Sequence, residues 1–331
     1  MRASTPTRSW LLASLLVVLV AGSCVSREQV EGDGDGGQAA PTQRLSIATG
    51  GTGGVYIVYG GGLSDLITKE MDGVEATAEV TSASVDNMLL IADESSDVAF
   101  TLADTAADAV RGEAAFDEPV PAQALAQLYT NYTQVGTVAG TGIETIKDLE
   151  GKAVSVGSPN SGTEVIALRI LGAAGIDPDS GIDRQQLDVE QSVQAVRDGT
   201  IDAFFWSGGL PTGAVTDLAS TDDVVLLPTD SYTQDLAQEY GDFYTTTTIP
   251  GGTYPGVDED VASIGVPNYL VVNEAMEEDL AYDLTKFLFD HKSDLVRVHP
   301  EAKNLKLETA TDVRPLELHP GAQRYYDEAS G

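Results

Sequence analysis

From residue 44 onward the apolar positions of the chain change period several times. Residues 45–49 alternate as a short strand does, and 50–54 form a glycine-rich loop. Residues 55–71 carry Val55, Val58, Leu63, Leu66 and Ile67 at helical spacing, weakened in the middle by Gly60, Gly61 and Gly62. Residues 74–81 alternate again. Residues 84–94 place Val85, Met88, Leu89 and Ala92 on one helical face, and 97–102 read as a buried strand. Strand, helix, strand, helix, strand argues an α/β fold with a mostly parallel sheet.

The alternation resumes further on. Residues 127–138 are strand-like, 143–151 a turn with a short helix, and 152–156 a strand ending in the loop 157–162. A helix over 163–174 stops at Gly175, and a second helix over 191–197 precedes a buried strand over 201–206. Gly54 and Gly162 end the two glycine-rich loops at the same separation that divides Ser84-Val85 from Ser192-Val193. The pairs Ala99-Phe100 and Ala203-Phe204 fall four residues short of it. The recurrence is either an internal duplication, which predicts two similar lobes facing a cleft, or a coincidence between two ordinary α/β units. The C-terminal part offers a strand over 264–272, an amphipathic helix over 277–290, a short helix around Ser293, and a short or frayed helix from Gly321.

Composition narrows the possibilities. A hydrophobic share of 42% across 331 residues allows a packed core and two lobes of ordinary size. A formal charge of -34 excludes nucleic acid as a partner, since phosphate binding needs a basic surface. At the N-terminus, Arg2 and Arg8 precede an apolar run over 10–20 that is short for a membrane span and reads as a signal peptide over 1–23. Ala21, Gly22 and Ser23 stand before Cys24, the single cysteine, as in a bacterial lipobox with Cys24 as the lipidated residue. An ordinary signal with an incidental cysteine is the plainer alternative. Residues 24–43, rich in Gly, Asp and Pro, read as a flexible tether.

Three loops carry candidate chemistry. In Gly50-Gly51-Thr52-Gly53-Gly54-Val55-Tyr56, backbone N–H groups at a helix start can converge on an anion, although a tight turn uses glycine in the same way. It lacks the Lys-Ser/Thr of a P-loop and has Tyr56 where a dinucleotide fingerprint needs its third glycine. The loop 157–164 places Ser158, Ser161 and Thr163 where they either cap the next helix or bond a carboxylate. Trp206, before Ser-Gly-Gly-Leu-Pro at the end of a strand, suits a cleft wall, or equally a lobe interface. So acidic a chain that takes up an acid must do so with local N–H and O–H donors. No Gly-x-Ser-x-Gly element occurs, and His291, His299 and His319 lack metal-ligand spacing and read as surface residues. Neither a catalytic set, a cofactor nor a metal is expected.

The segments GGTGGVY, TSASVDNMLLIADESSDVAF, DLEGKAVSVGSPNSGTEVIALRILGAAGI, IDAFFWSGGLPTGAVTDLA and YPGVDEDVASIGVPNYLVVNEAMEEDLAYDLTKFLF follow in order. Together they resemble the TAXI family of TRAP-transporter solute receptors, over residues 44 to about 294. The resemblance implies a two-lobed periplasmic-binding-protein fold of type II, with ligand in the interlobe cleft. Lobe 1 would span 44–136, completed by about 250–331, and lobe 2 would span 137–249. It implies a monomeric extracytoplasmic receptor that is no enzyme. Such a receptor hands a glutamate-like, glutamine-like or dicarboxylate ligand to a TRAP membrane permease without ATP. It assigns the ligand to Thr52, Gly53, Gly54 and Tyr56 with Ser82 and Asn87 on one lobe, and to Ser158, Ser161, Gly162, Thr163 and Trp206 on the other. Ala83-Ser84-Val85-Asp86-Asn87 departs from the family's usual Gly-Ser-Val-Glu-Asn, a change that bears on the pocket. Cys24 also departs from the freely periplasmic members, and such an anchor suits a cell without an outer membrane. A binding protein of an ATP-driven importer or a sensor is the second reading, and a secreted α/β enzyme the third.

Overall fold

A computed structural model describes residues 43–330. The expectations for the signal segment, the tether and Cys24 lie outside the described residues. The first half runs β1 (Gln43–Ala48), α1 (Val55–Glu70), β2 (Val74–Glu79), α2 (Ser84–Ala92), β3 (Val98–Leu102), α3 (Ala103–Arg111) and the long β4 (Ala122–Val138). The second runs β5 (Ala153–Ser155), α4 (Gly162–Ala173), β6 (Asp183–Gln185), α5 (Val189–Arg197), β7 (Ala203–Gly208), α6 (Gly213–Ala219), β8 (Val224–Leu227), α7 (Thr233–Glu239) and β9 (Thr245–Ile249). The long β10 (Val261–Asn273) leads to α8 (Glu278–Asp290), α9 (Lys292–Val298), α10 (Leu307–Ala310) and α11 (Pro320–Ser330).

The strands follow the order β2-β1-β3-β10-β4-β7-β5-β6, with β8 on β4 and β9 on β10. Parallel β2-β1-β3 and parallel β6-β5-β7 are the same unit twice, each reading strand, helix, strand, helix, strand along the chain. The recurrence of glycine and Ser-Val pairs tracks this topology imperfectly: Ser84 opens α2, whereas Ser192 sits one turn into α5. Antiparallel β4 and β10 join the halves. β10 pairs β3 through Asn268–Val272 and β9 through Val261–Gly265. β4 pairs β10 up to Tyr132 and β7 from Tyr132 onward. The result is the two-lobed α/β fold of periplasmic binding proteins, with β4 and β10 passing from one lobe into the other.

Tyr59, Leu63 and Ile67 of α1 are buried in one core with Phe100 and Leu270, and Ile166 and Ile170 of α4 belong to a second core that also takes in Val85 and Met88 of α2 and Leu102 of β3. Val58 and Leu89, expected on buried faces, are exposed instead; α2 buries Val85, Met88 and Ile91. His299 and His319 correct the expectation of surface histidines. Both are buried, because each precedes a proline that opens a helical turn, and each ring accepts a backbone N–H there: Glu301 N at 3.2 Å and Gly321 N at 3.2 Å. Burial holds both imidazoles below their ordinary pKa of 6.5.

Candidate functional site

The C-terminal ends of the parallel strands point at one another across the molecule, which puts the following helix N-termini around a common space. That space holds about 560 Å³, counting its open mouth. The glycine loop after β1 forms one wall. Gly53 takes φ +75, and Gly54 is the N-cap residue of α1 with no side chain to cap it. The N–H groups of Val55 and Tyr56 have no partner among the described residues. Gly54 also lets the opposite lobe approach closely: a Cβ there would lie 3.0 Å from Cη2 of Trp206.

The facing wall is the start of α4. Ser161 caps it, its Oγ accepting from Glu164 N at 3.1 Å, which leaves the hydroxyl proton for another acceptor. Thr163 Oγ1 accepts from Ser207 N at 3.1 Å and has its proton free in the same way. Gly162 N–H and Thr163 N–H have no partner among the described residues. Ser82, Ser84 and Ser158 line the space as well, and so do Leu187, Asp188 and Val189 at the start of α5. Trp206 folds back over its own strand, because Gly208 offers no Cβ; one there would lie 2.3 Å from Nε1. That Nε1 donates to Thr212 Oγ1 at 2.9 Å.

The floor is made by the two crossing strands. Tyr56 OH donates to Asn268 Oδ1. Asn268 Nδ2 donates to Asn131 Oδ1 at 2.7 Å, and Asn131 Nδ2 to Ser207 Oγ at 3.3 Å. This chain of buried amides ties α1 to β10, β4 and β7. Tyr129, two residues before Asn131 and on the same face of β4, also lines the space; its hydroxyl is buried without a partner among the described residues. Burial raises the pKa of Tyr56 and Tyr129 well above the ordinary phenol value, so both remain neutral. Among the described residues, no Lys, Arg or His lines the space, and Asp188 supplies the one carboxylate.

Gly54, Tyr56, Ser82, Ser158, Ser161, Gly162, Thr163 and Trp206 are brought together around this space. Thr52, Gly53 and Asn87 are not. Thr52 Oγ1 donates to Glu190 Oε2 at 2.9 Å across the mouth, and Gly53 packs on the same Glu190 side chain. Asn87 is buried beneath α2, where its Nδ2 donates to Thr49 O and Phe100 O, each at 2.7 Å, and its Oδ1 accepts from Thr81 Oγ1. It fixes the strand ends and has no atom to spare. The sequence reading missed Ser84, Leu102, Tyr129, Asn131 and Ser207. A run of polar residues inside a predicted strand, Thr130-Asn131-Tyr132-Thr133-Gln134, was the available signal.

A cleft between two α/β lobes, ringed by helix N-termini, defines the class: the fold is that of periplasmic solute-binding proteins. The binding-protein component of a phosphonate ABC transporter from Pseudomonas aeruginosa superposes with a TM-score of 0.53 at 11% identity, covering 78% of this chain and 79% of that one. The aliphatic sulphonate binding protein SsuA from Escherichia coli gives 0.48 at 14% identity, over 86% and 83%. A model of the NMT1-like family matches residues 47–330, and the chain belongs to that family.

Proposed function

We propose that this protein is an extracytoplasmic solute receptor that closes its lobes over a small carboxylate and delivers it to a membrane transporter. One observation carries the reading. Free N–H groups of α1 and α4, with the hydroxyls of Ser158, Ser161 and Thr163, converge on a cleft that no basic side chain lines among the described residues. Helix N-termini bind anions without a formal positive charge. The unpartnered Tyr129 hydroxyl supplies a further neutral donor. Val55, Leu187, Val189 and Trp206 enclose the ligand's carbon body. Differential affinity for the closed arrangement drives closure.

The resemblance to TAXI receptors favours a glutamate-like, glutamine-like or dicarboxylate ligand and a TRAP-type permease. Residues 44–136 with about 250–331 form lobe 1 in this reading, residues 137–249 form lobe 2, and Cys24 anchors the protein to the outer face of the membrane. The protein is a carrier and performs no turnover. The test has two parts. Mass spectrometry of ligand extracted from the purified protein should return an unmodified small acid at one per chain; a chemically altered product accumulating on incubation contradicts a carrier. Uptake of that acid into vesicles holding the partner transporter should need an ion gradient and no ATP. A requirement for ATP assigns the protein to an ATP-driven importer instead.

A further inference from the structure

We propose that Asn160 is a positioning residue which clasps the two lobes by capping helix α2 from the opposite side of the cleft. The proposal rests on the reading of this space as a cleft that opens and closes. Helix α2 has no cap of its own. Its N-cap residue is Ala83, which has no polar side chain and sits at φ 82, ψ -140, a region that glycine alone adopts readily. The donors that a local cap would satisfy are bonded elsewhere: Val85 N and Asp86 N both donate to the carbonyl oxygen of Asn160, at 3.1 and 3.2 Å. Asn160 belongs to the loop between β5 and α4, in the other lobe.

The loop is built to present that carbonyl. Asn160 takes φ 62, a left-handed conformation that asparagine tolerates and most side chains do not. Its N–H donates to Glu164 Oε2 at 2.9 Å, which ties it to the first turn of α4, and its Nδ2 donates to Asp86 Oδ1 at 3.3 Å. Ala83 and Asn160 are two of the four non-glycine residues with positive φ among the described residues, and they meet at this junction. Beside it, Gly162 packs against Ser84 so closely that a Cβ would lie 2.7 Å from Ser84 Oγ. The clasp thus sets the start of α2 next to the start of α4, and so aligns two donor groups that one anion would share.

Amide hydrogen exchange of the full-length, ligand-free protein, followed by NMR, tests this. Asn160 is exposed, so substitutions there open no hole in the core. Asn160→Gly keeps both the left-handed backbone and the carbonyl. Asn160→Val, β-branched, does not. Val85 and Asp86 amides should be protected in the native protein and in Asn160→Gly, and exchange about tenfold faster in Asn160→Val, the loss expected for two hydrogen bonds. Leu90 and Ile91, further along α2, should exchange alike in all three, which shows the helix intact. Unprotected Val85 and Asp86 in the native protein, equal protection in Asn160→Val, or an equal loss in Asn160→Gly overturns the proposal. The readout needs no ligand: a failed carboxylate titration with this pattern present sinks the ligand reading and leaves the clasp, and the converse holds too.

Discussion

Gly162→Ala separates closure from folding. The added methyl would lie 2.6 Å from Leu102 Cδ1, 2.7 Å from Ser84 Oγ and 3.1 Å from Ser84 Cβ, all in the opposite lobe. Carbon atoms pack at about 3.5–4.0 Å, so the overlap is roughly 1 Å. Neither neighbour can step aside. Leu102 is buried at the end of β3, and Ser84 Oγ accepts from Leu102 N at 3.2 Å. Overpacking of this kind costs about 1–3 kcal/mol in a rigid core. Here the strain is relieved by parting the lobes, so it falls on the closed state as a roughly 5- to 150-fold shift toward open. The lobes themselves lose nothing, since alanine is the better helix former. Trp206 reports the event: its ring lies on Gly54 across the cleft, and Trp10 is the one other tryptophan in the chain. In a Trp10→Phe background, Gly162→Ala should raise acrylamide quenching of Trp206 and leave the melting temperature unchanged or higher. Unchanged quenching with a lower melting temperature would refute the reasoning, because the clash would then be held as core strain in one rigid body.

Three further outcomes follow from the same geometry. Arg169 bonds Asp108 at 2.6 Å and Tyr244 OH at 2.8 Å, and Tyr244 OH bonds the fully buried Asp104 at 2.7 Å; Arg169→Met should therefore cost about 3–5 kcal/mol in urea unfolding, and a loss below about 1 kcal/mol contradicts a buried pair. Tyr129→Phe removes a buried hydroxyl without a partner, so it should raise the melting temperature of the ligand-free protein while weakening carboxylate binding; a lowered melting temperature contradicts the unpaired state. Burial lowers the folded pKa of His299 and His319, so below pH 6.5 the unfolded chain binds more protons than the folded one and stability falls as pH drops; between pH 7.5 and 5.5 the melting temperature should fall, and by less in His299→Asn with His319→Asn, which keeps cap acceptors without the titration.

Much of the fold was legible because α1, α2 and α4 bury regular faces and the parallel strands other than β6 (Asp183–Gln185, three residues with none buried) left a readable period in the sequence. Helix α3 was not, since it is buried almost all round. Its Asp104 and Asp108 face Arg169 in the interior and break up any apolar face in a string of alanines. The run from α6 to β9 was missed for want of length: its elements are four to seven residues each. At the site, the two glycine loops stood out because strand-to-helix turns and anion sites use the same residues. That ambiguity also swept in Thr52 and Gly53, which serve the mouth of the cleft; Asn87, which serves the interior, came in through the family resemblance alone. Tyr129, Asn131 and Asn268 were hidden because their pairing exists across strands far apart in sequence.

The central claim is recognition of an acid by neutral donors in a closing cleft, and titration of Trp206 emission tests it most directly. The full-length Trp10→Phe protein, unfolded and refolded to strip bound ligand, would be titrated with L-glutamate, L-glutamine, 2-oxoglutarate and the methyl ester of whichever acid binds. The account predicts a saturable change with at least one acid and a much weaker one with the ester formed at the carboxylate held by α1 and α4. Raising salt should not abolish binding, because no side-chain ion pair is made and the protein's own charge of -34 repels the ligand less. Equal binding of acid and ester, or saturation by none of the three acids, would contradict it.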